Sequence, residues 1–338
     1  MMTRPRILVS ECAGFSAPAA ALLGGVGELV LADLQRAELL RAVRDVDILW
    51  VRLRHRIDAE LLDAAPRLRL LATPTTGLTH VDTDETARRG VRVLSLRDDT
   101  AALRDVRATA EHTVGLMLAL LRRLPAAAAH VVDGGWDRDR FRGGELFGRT
   151  VGIVGYGRLG RIVGRYLHTF DMRVLATDPH VSPAEVEPGV TLVPLATLLA
   201  ESDVVTLHAS YSPATRHLLG AAELAAVKRG ALLVNSARGE LVDEGALLDA
   251  LRGGQLGGAA LDVLADERPA GMGEHPLVAY ARGRDDVIIT PHIGGCTRES
   301  MEKTELHLAQ RLVDLFSVDR GAIAMMSPAP AAAGVEDR

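Results

Sequence analysis

The stretch VGIVGYGRLG, Val151 to Gly160, decides how the rest of the chain is read. A β-rich run, TVGIVG, enters the glycine pattern, and the helical segment RLGRIVGRYLHTF leaves it. This is the strand–turn–helix setting in which G-x-G-x-x-G holds a dinucleotide. Gly155 suits the tight turn, Gly157 lets the backbone approach a diphosphate, and Gly160 lets the helix lie close on the strand. Amides near Arg158 and Leu159 would face the diphosphate, with the positive end of the helix dipole behind them. The next strand, MRVLATD, ends in Asp178, 18 residues past Gly160. An acid at that spacing accepts hydrogen bonds from ribose hydroxyls and repels a 2′-phosphate, which predicts NAD rather than NADP.

The motif stands mid-chain, so something precedes it. RILVS, ELVLAD, DILWVR, LRLLAT and VRVLSL read as strands, several separated by Ala/Leu-rich helical stretches. They predict a complete small α/β unit in the first 100 or so residues. A long helical stretch, about 101–124, is expected to stop near Pro125. The connection HVVDGGWDRDRFRGGELFG then leads into TVGIVG, and DVVTLHA, ALLVNSA, GAALDV and DVIITPH supply further strands. A last helix, about 297–316, is too isolated to be a domain and is expected to return to the first unit. The tail MSPAPAAAGVEDR has no apolar period and reads as disordered.

Bulk composition limits the function. With 48% apolar and 25% charged residues in 338, the chain has the balance of a globular protein with a sizeable core. A net charge of −5 gives no electrostatic footprint for nucleic acid. Two cysteines, Cys12 and Cys296, make no disulfide framework and suit a reducing compartment. The start MMTRPRILVS lacks a signal-peptide apolar stretch, and VGLMLALL is too short to span a bilayer. A cytoplasmic protein without membrane or nucleic-acid partners and without a metal site is the expectation.

Three polar residues follow strands downstream of the motif. Arg238 follows ALLVN in NSARGE, Glu267 follows GAALDV in LDVLADER, and His292 follows DVIIT in TPHIGG. Strand carboxyl ends of an open parallel sheet line the ligand crevice, so the three are expected to converge there. Arg238 offers a planar fork for a carboxylate and polarises the neighbouring ketone. His292 gives a proton to the ketone oxygen during reduction and takes it back in reverse. Glu267 would orient the imidazole and stabilise its protonated form.

Together with TTGLTHVD, ATAEHTVGLMLALLRR, GYGRLGR, NSARGELVDE, ALDV and PHIGG, these residues resemble the D-isomer-specific 2-hydroxyacid dehydrogenase family from about Arg6 to Phe316. The resemblance implies two Rossmann-like, doubly wound parallel-sheet domains, with the nucleotide domain inserted into a discontinuous substrate domain. The boundaries expected are 1–101 for the first part of the substrate domain and 102–293 for the NAD domain. Residues 294–326 form the returning helix and 327–338 the tail. The resemblance implies NAD as cofactor, Arg238, Glu267 and His292 as the catalytic set, and substrate carboxylate binding at the backbone of Thr76 and Gly77. Asp262 would hold the nicotinamide carboxamide, and His208, Ala237, Gly294 and Gly295 would complete the cofactor site. It also implies a homodimer formed through the nucleotide domain, for which Trp136 and Phe141 are candidate anchors.

The chain departs from the family pattern in places. Arg268 intervenes between Glu267 and Pro269, Ala209–Ser210 follow His208 in place of Val-Pro, and Cys296 follows PHIGG. Arg52, in DILWVRLRHRID, stands where phosphoglycerate-type relatives hold a substrate phosphate, which predicts a second polar or anionic group on the substrate. The function expected is interconversion of a small D-2-hydroxy acid and its 2-keto acid. A phosphite dehydrogenase and a non-catalytic, NAD-sensing co-repressor-like scaffold are the alternatives, because both can keep the same triad.

Overall fold

The computed structural model describes residues 4–97, 99, 102–265, 267 and 271–318. The tail at 327–338 and the departure at Arg268 and Pro269 lie outside them. The chain divides into two compact units, Met1–Asp105 with Arg298–Arg338, and Val106–Thr297.

The first unit holds β1 (Arg6–Val9), β2 (Glu28–Leu31), β3 (Ile48–Trp50), β4 (Leu70–Thr73) and β5 (Arg92–Ser95). They form one parallel sheet in the order β2-β1-β3-β4-β5. Ile48, Leu49, Trp50, Leu71 and Ala72 are all buried, as expected of central parallel strands covered on both faces. The helix Arg298–Val318 packs against the helix Ala17–Val26 and buries Leu308, Ala309 and Leu312.

The second unit holds β6 (Thr150–Val154), β7 (Arg173–Thr177), β8 (Val190–Leu192), β9 (Val204–Leu207), β10 (Ala231–Asn235), β11 (Leu256–Leu261) and β12 (Val287–Ile289). The order is β12-β11-β10-β9-β6-β7-β8, parallel throughout. The strand order reverses between β6 and β9, and that switch point is where an open α/β sheet receives its ligand. β8 escapes sequence reading because it is a half-buried edge of three residues, too short to show a period.

Pro125 corrects the expectation of one long helix ending there. The helix Ala108–Leu121 stops first, Arg123 turns through φ +53°, and a second helix, Leu124–Val132, begins with Pro125 in its first turn. Proline lacks only an N–H that a first turn leaves unpaired anyway. The two helices bend by 63°, and among the described residues no single helix is long and apolar enough to cross a membrane. Ala110, Thr113, Leu116, Met117 and Leu120 give the first of the pair a buried stripe at helical spacing. That stripe lies against β10, β11, β12 and the helix Arg158–His168.

Candidate active site

The glycine loop joins β6 to the helix Arg158–His168. Gly155 sits at φ +91°, and a Cβ there would meet the Ala209 backbone nitrogen at 2.4 Å. A side chain would therefore be both strained and blocked by the loop after β9. Gly160 passes so close to the Gly155 carbonyl that a Cβ would collide with it. Gly157 differs: its Cβ would enter open space, with nothing within 4 Å. Beyond it are the first-turn amides of an 11-residue helix, which have no intrahelical acceptor. Half-buried Leu159 packs on the core under that turn, and Arg158 reaches the Val106 carbonyl at 2.7 Å. Asp178 Oδ2 accepts the Tyr156 amide at 2.8 Å, and Oδ1 accepts the His180 amide at 2.9 Å. Each oxygen keeps lone-pair capacity for a further donor. An open cradle, helix amides and an acid at the next strand end fit a dinucleotide.

His208 follows β9 directly, and its amide donates to the Val154 carbonyl at 2.7 Å. Its Nε2 lies 3.0 Å from Thr206 Oγ1, and burial lowers its pKa to about 4. It is a neutral imidazole at ordinary pH.

β10 ends in a turn knitted by buried Asn235, whose Oδ1 accepts the Ala237 amide at 3.0 Å and whose Nδ2 donates to the Arg238 carbonyl at 2.8 Å. Ala237 thus helps aim Arg238, whose Nη1 donates to the Ala237 carbonyl at 2.5 Å. Among the described residues no other acceptor takes the guanidinium. Burial opposes its charge and lowers its pKa, while nearby Glu267 and Glu240 favour the charge. Glu240, half-buried beside it, is pushed up by that burial. Next to Arg238, Gly239 runs so close to Leu264 that a Cβ would overlap its backbone. Only glycine lets the Arg238 turn abut the loop carrying Glu267.

Glu267 Oε1 accepts the Leu264 amide at 3.1 Å, and Oε2 lies 2.6 Å from His292 Nδ1. His292 itself adopts φ +54°, a left-handed conformation that a non-glycine residue holds only when its surroundings impose it. Asp262 supplies the imposition. It is 1% exposed, and its carbonyl accepts the His292 amide at 2.9 Å. Oδ1 accepts from Thr290 Oγ1 at 2.7 Å and the Ile293 amide at 2.9 Å, and Oδ2 from the Gly294 amide at 2.8 Å. Buried Gly294 passes 2.8 Å from that oxygen at its would-be Cβ, whereas Gly295 faces solvent.

His112 escapes the sequence reading. Its Nε2 stands 3.2 Å from Asp262 Oδ1 and 3.3 Å from Thr290 Oγ1. The available signal is the polar pair His112–Thr113 inside an apolar helix. Thr113 Oγ1 lies 2.6 Å from Ser236 Oγ in the Arg238 turn. Arg238, Glu267 and His292 thus all follow carboxyl ends of neighbouring strands of one sheet, a guanidinium beside a carboxylate–imidazole pair.

In the first unit, exposed Thr76 and half-buried Gly77 form a loop after β4. Thr75 Oγ1 donates to the Gly77 carbonyl at 2.9 Å, and among the described residues neither the Thr76 nor the Gly77 amide has an acceptor. Arg52 is different. Its guanidinium is taken by Glu305 and by the Ala13 carbonyl, so as folded it secures the last helix. Among the described residues no cluster of three metal-ligating side chains occurs.

Comparison with known proteins agrees with this architecture. Residues 114–294 match the family model for the D-isomer specific 2-hydroxyacid dehydrogenase NAD binding domain. The D-3-phosphoglycerate dehydrogenase of Mycobacterium tuberculosis is 39% identical over 311 residues, covering 91% of this chain and 56% of that protein. The chain thus spans little more than half the length of the curated relatives it matches. Among solved structures, the TT0316 protein from Thermus thermophilus is 36% identical with a TM-score of 0.78, covering 93% of this chain and 97% of that one. A D-lactate dehydrogenase from Aquifex aeolicus, complexed with NAD and lactic acid, is 27% identical with a TM-score of 0.76, covering 96% and 100%. The chain belongs to the D-isomer specific 2-hydroxyacid dehydrogenase family, and its second unit is that family's NAD binding domain.

Proposed function

We propose that this chain interconverts a small D-2-hydroxy acid and its 2-keto acid with NAD. The observation that carries the reading is the 2.6 Å approach of His292 Nδ1 to Glu267, at the sheet edge that also holds the Arg238 fork. With Nδ1–H donated to the carboxylate, Nε2 is the nitrogen that exchanges a proton with the ketone or alcohol oxygen. Arg238 binds the carboxylate and polarises the ketone, and its half-buried setting strengthens both interactions. In the first unit, the amides of Thr76 and Gly77 are the proposed donors to a substrate carboxylate.

NAD, when bound, supplies or accepts the hydride. The first-turn amides at Arg158 and Leu159, over Gly157, hold its diphosphate, and Asp178 holds the adenosine ribose. Asp262, with Gly294 and Gly295 beside it, takes the nicotinamide carboxamide on remaining lone-pair capacity. His208 and Ala237 border the same edge, His208 as a neutral group that adds no charge. The NAD and lactic acid named for the Aquifex aeolicus structure support this assignment. A homodimer formed through the second unit completes the proposal.

The test is direct. Purified protein is mixed with NADH and a panel of 2-keto acids, and nicotinamide absorbance is followed. Turnover that Arg238→Gln and His292→Ala abolish supports the reading, and no turnover with any 2-keto acid removes it.

A further inference from the structure

We infer that Glu305 is a specificity-determining residue, which by occupying Arg52 restricts the substrate to 2-keto acids with no anionic group beyond the carboxylate. The inference rests on the function proposed above and narrows it.

The first unit sets the geometry. Trp50 of β3 pairs in register with Ala72 of β4, so both chains leave the sheet at the same edge, Arg52 on one and the Thr75–Gly77 loop on the other. A free guanidinium there would greet a second anion. It is not free. Arg52 Nε and Nη2 donate to Glu305 Oε1 at 2.9 and 2.5 Å, and Nη1 donates to the Ala13 carbonyl at 2.8 Å. Glu305 is 1% exposed, and its other oxygen accepts the Ser16 amide at 2.8 Å. Glu305 is buried, Arg52 is half-buried beside it, and three of the guanidinium's five donors are taken.

The rest of the basic stretch is also accounted for. Arg54 pairs with Asp33 at 2.8 Å. His55 is 2% exposed, and burial holds its pKa below the ordinary imidazole value. Arg56 is exposed to solvent. What reads in sequence as a site for a second polar or anionic group is, folded, two ion pairs, a buried histidine and one solvated arginine. A phosphate or second carboxylate seeking the bidentate Nε–Nη2 fork of Arg52 would have to strip it from Glu305, leaving a carboxylate buried without its cation. That loss exceeds what the new contact returns.

Hydroxypyruvate and 3-phosphohydroxypyruvate share a carbon skeleton and differ by the phosphate. The expected result is kcat/KM at least about a hundredfold higher for hydroxypyruvate, the scale of breaking a buried ion pair. Glu305→Gln keeps the side chain's shape and leaves Arg52 with an uncompensated charge. It should narrow the ratio by about tenfold or more, and Arg52→Ala added to it should reopen the gap. Ligand-induced shifts in Tm for the same two compounds give a reading independent of turnover. A wild type preferring the phosphorylated acid, or a folded Glu305→Gln with an unchanged ratio, overturns the inference. Failure to reduce either compound, with Tm shifts still favouring hydroxypyruvate, removes the proposed activity and leaves the selectivity standing.

Discussion

His292 holds Nδ1 2.6 Å from Glu267 Oε2 while its own backbone is held left-handed at φ +54°. The strain and the hydrogen bond act together, because the unusual turn aims the ring at the acid. His292→Ala is expected to lower kcat by about 10²–10⁴-fold, the range of general acid catalysis, with NADH affinity retained. Glu267→Gln should lower kcat by a smaller factor, since an amide can hold the ring but cannot offset its charge. His292→Ala keeping more than about a tenth of wild-type kcat, or Glu267→Gln leaving kcat unchanged, would refute the pairing.

Asp178 does two things in the fold: it receives the Tyr156 amide of the glycine loop and the His180 amide of its own turn. Asp178→Ala should therefore weaken NADH binding by about tenfold or more, the scale of a hydrogen bond to a charged group. NADPH should lose less, because repulsion of its 2′-phosphate disappears with the carboxylate. Fluorescence titration of both cofactors measures the ratio, and a ratio unmoved by the substitution would count against this role.

The glycine loop is legible in the sequence because its determinants are local. Strand, turn, helix and Asp178 follow one another within a few tens of residues, and each glycine has a steric reason to be there. Arg238, Glu267 and His292 are legible because each follows a recognisable strand. The clamp on His292 is not. It joins His112 to Asp262 and Thr290 across 150 and 178 residues, and a histidine on an apolar helix gives no hint of its distant partner. Arg52 can be read by type and place, whereas its occupation by Glu305 spans 253 residues and exists only once the last helix has returned. Pro125 reads as a stop because proline permits both outcomes, and the φ of Arg123 decides between them.

The His112 contact gives a test of that hidden layer. His112→Ala should lower kcat by about tenfold or more, the usual effect of removing a group that orients a functional side chain. Hydroxy-acid KM should change little, because no substrate group is removed. His112→Gln, able to donate to Asp262, should recover part of the rate. If kcat per folded molecule were unchanged in the alanine variant, the contact would be only structural.

His208 sets an acid limit on stability. Its folded pKa, about 4, lies below the ordinary 6.5, so between those values the unfolded chain binds the proton first. The stability that a neutral His208 contributes is complete above about pH 6.5 and is lost as pH falls toward 4. The full shift corresponds to about 3 kcal/mol, and the half-buried setting reduces this to about 1–2 kcal/mol. His208→Gln removes the titration, so its Tm should fall less than wild type between pH 7 and pH 4.5. Parallel Tm curves would show that this imidazole does not govern acid stability.

Trp136 and Phe141 are both candidate interface anchors by sequence, and the fold separates them. Phe141 is half-buried against His130, with ring centroids 5.3 Å apart. Trp136 is 88% exposed, and Val132 at 86% and Phe147 at 70% are exposed in the same unit. Leu124 and Val131 add apolar surface on the helix Leu124–Val132. In the proposed homodimer these side chains are the candidate anchors, since tryptophan is prominent among residues that carry an interface. Light scattering should give twice 36.1 kDa for the wild type. Trp136→Glu places a charge at the anchor and should yield the single-chain mass at micromolar concentration, with its far-ultraviolet dichroism unchanged. A wild type that scatters as one chain, or a variant that still pairs, would show that Trp136 does not anchor a dimer.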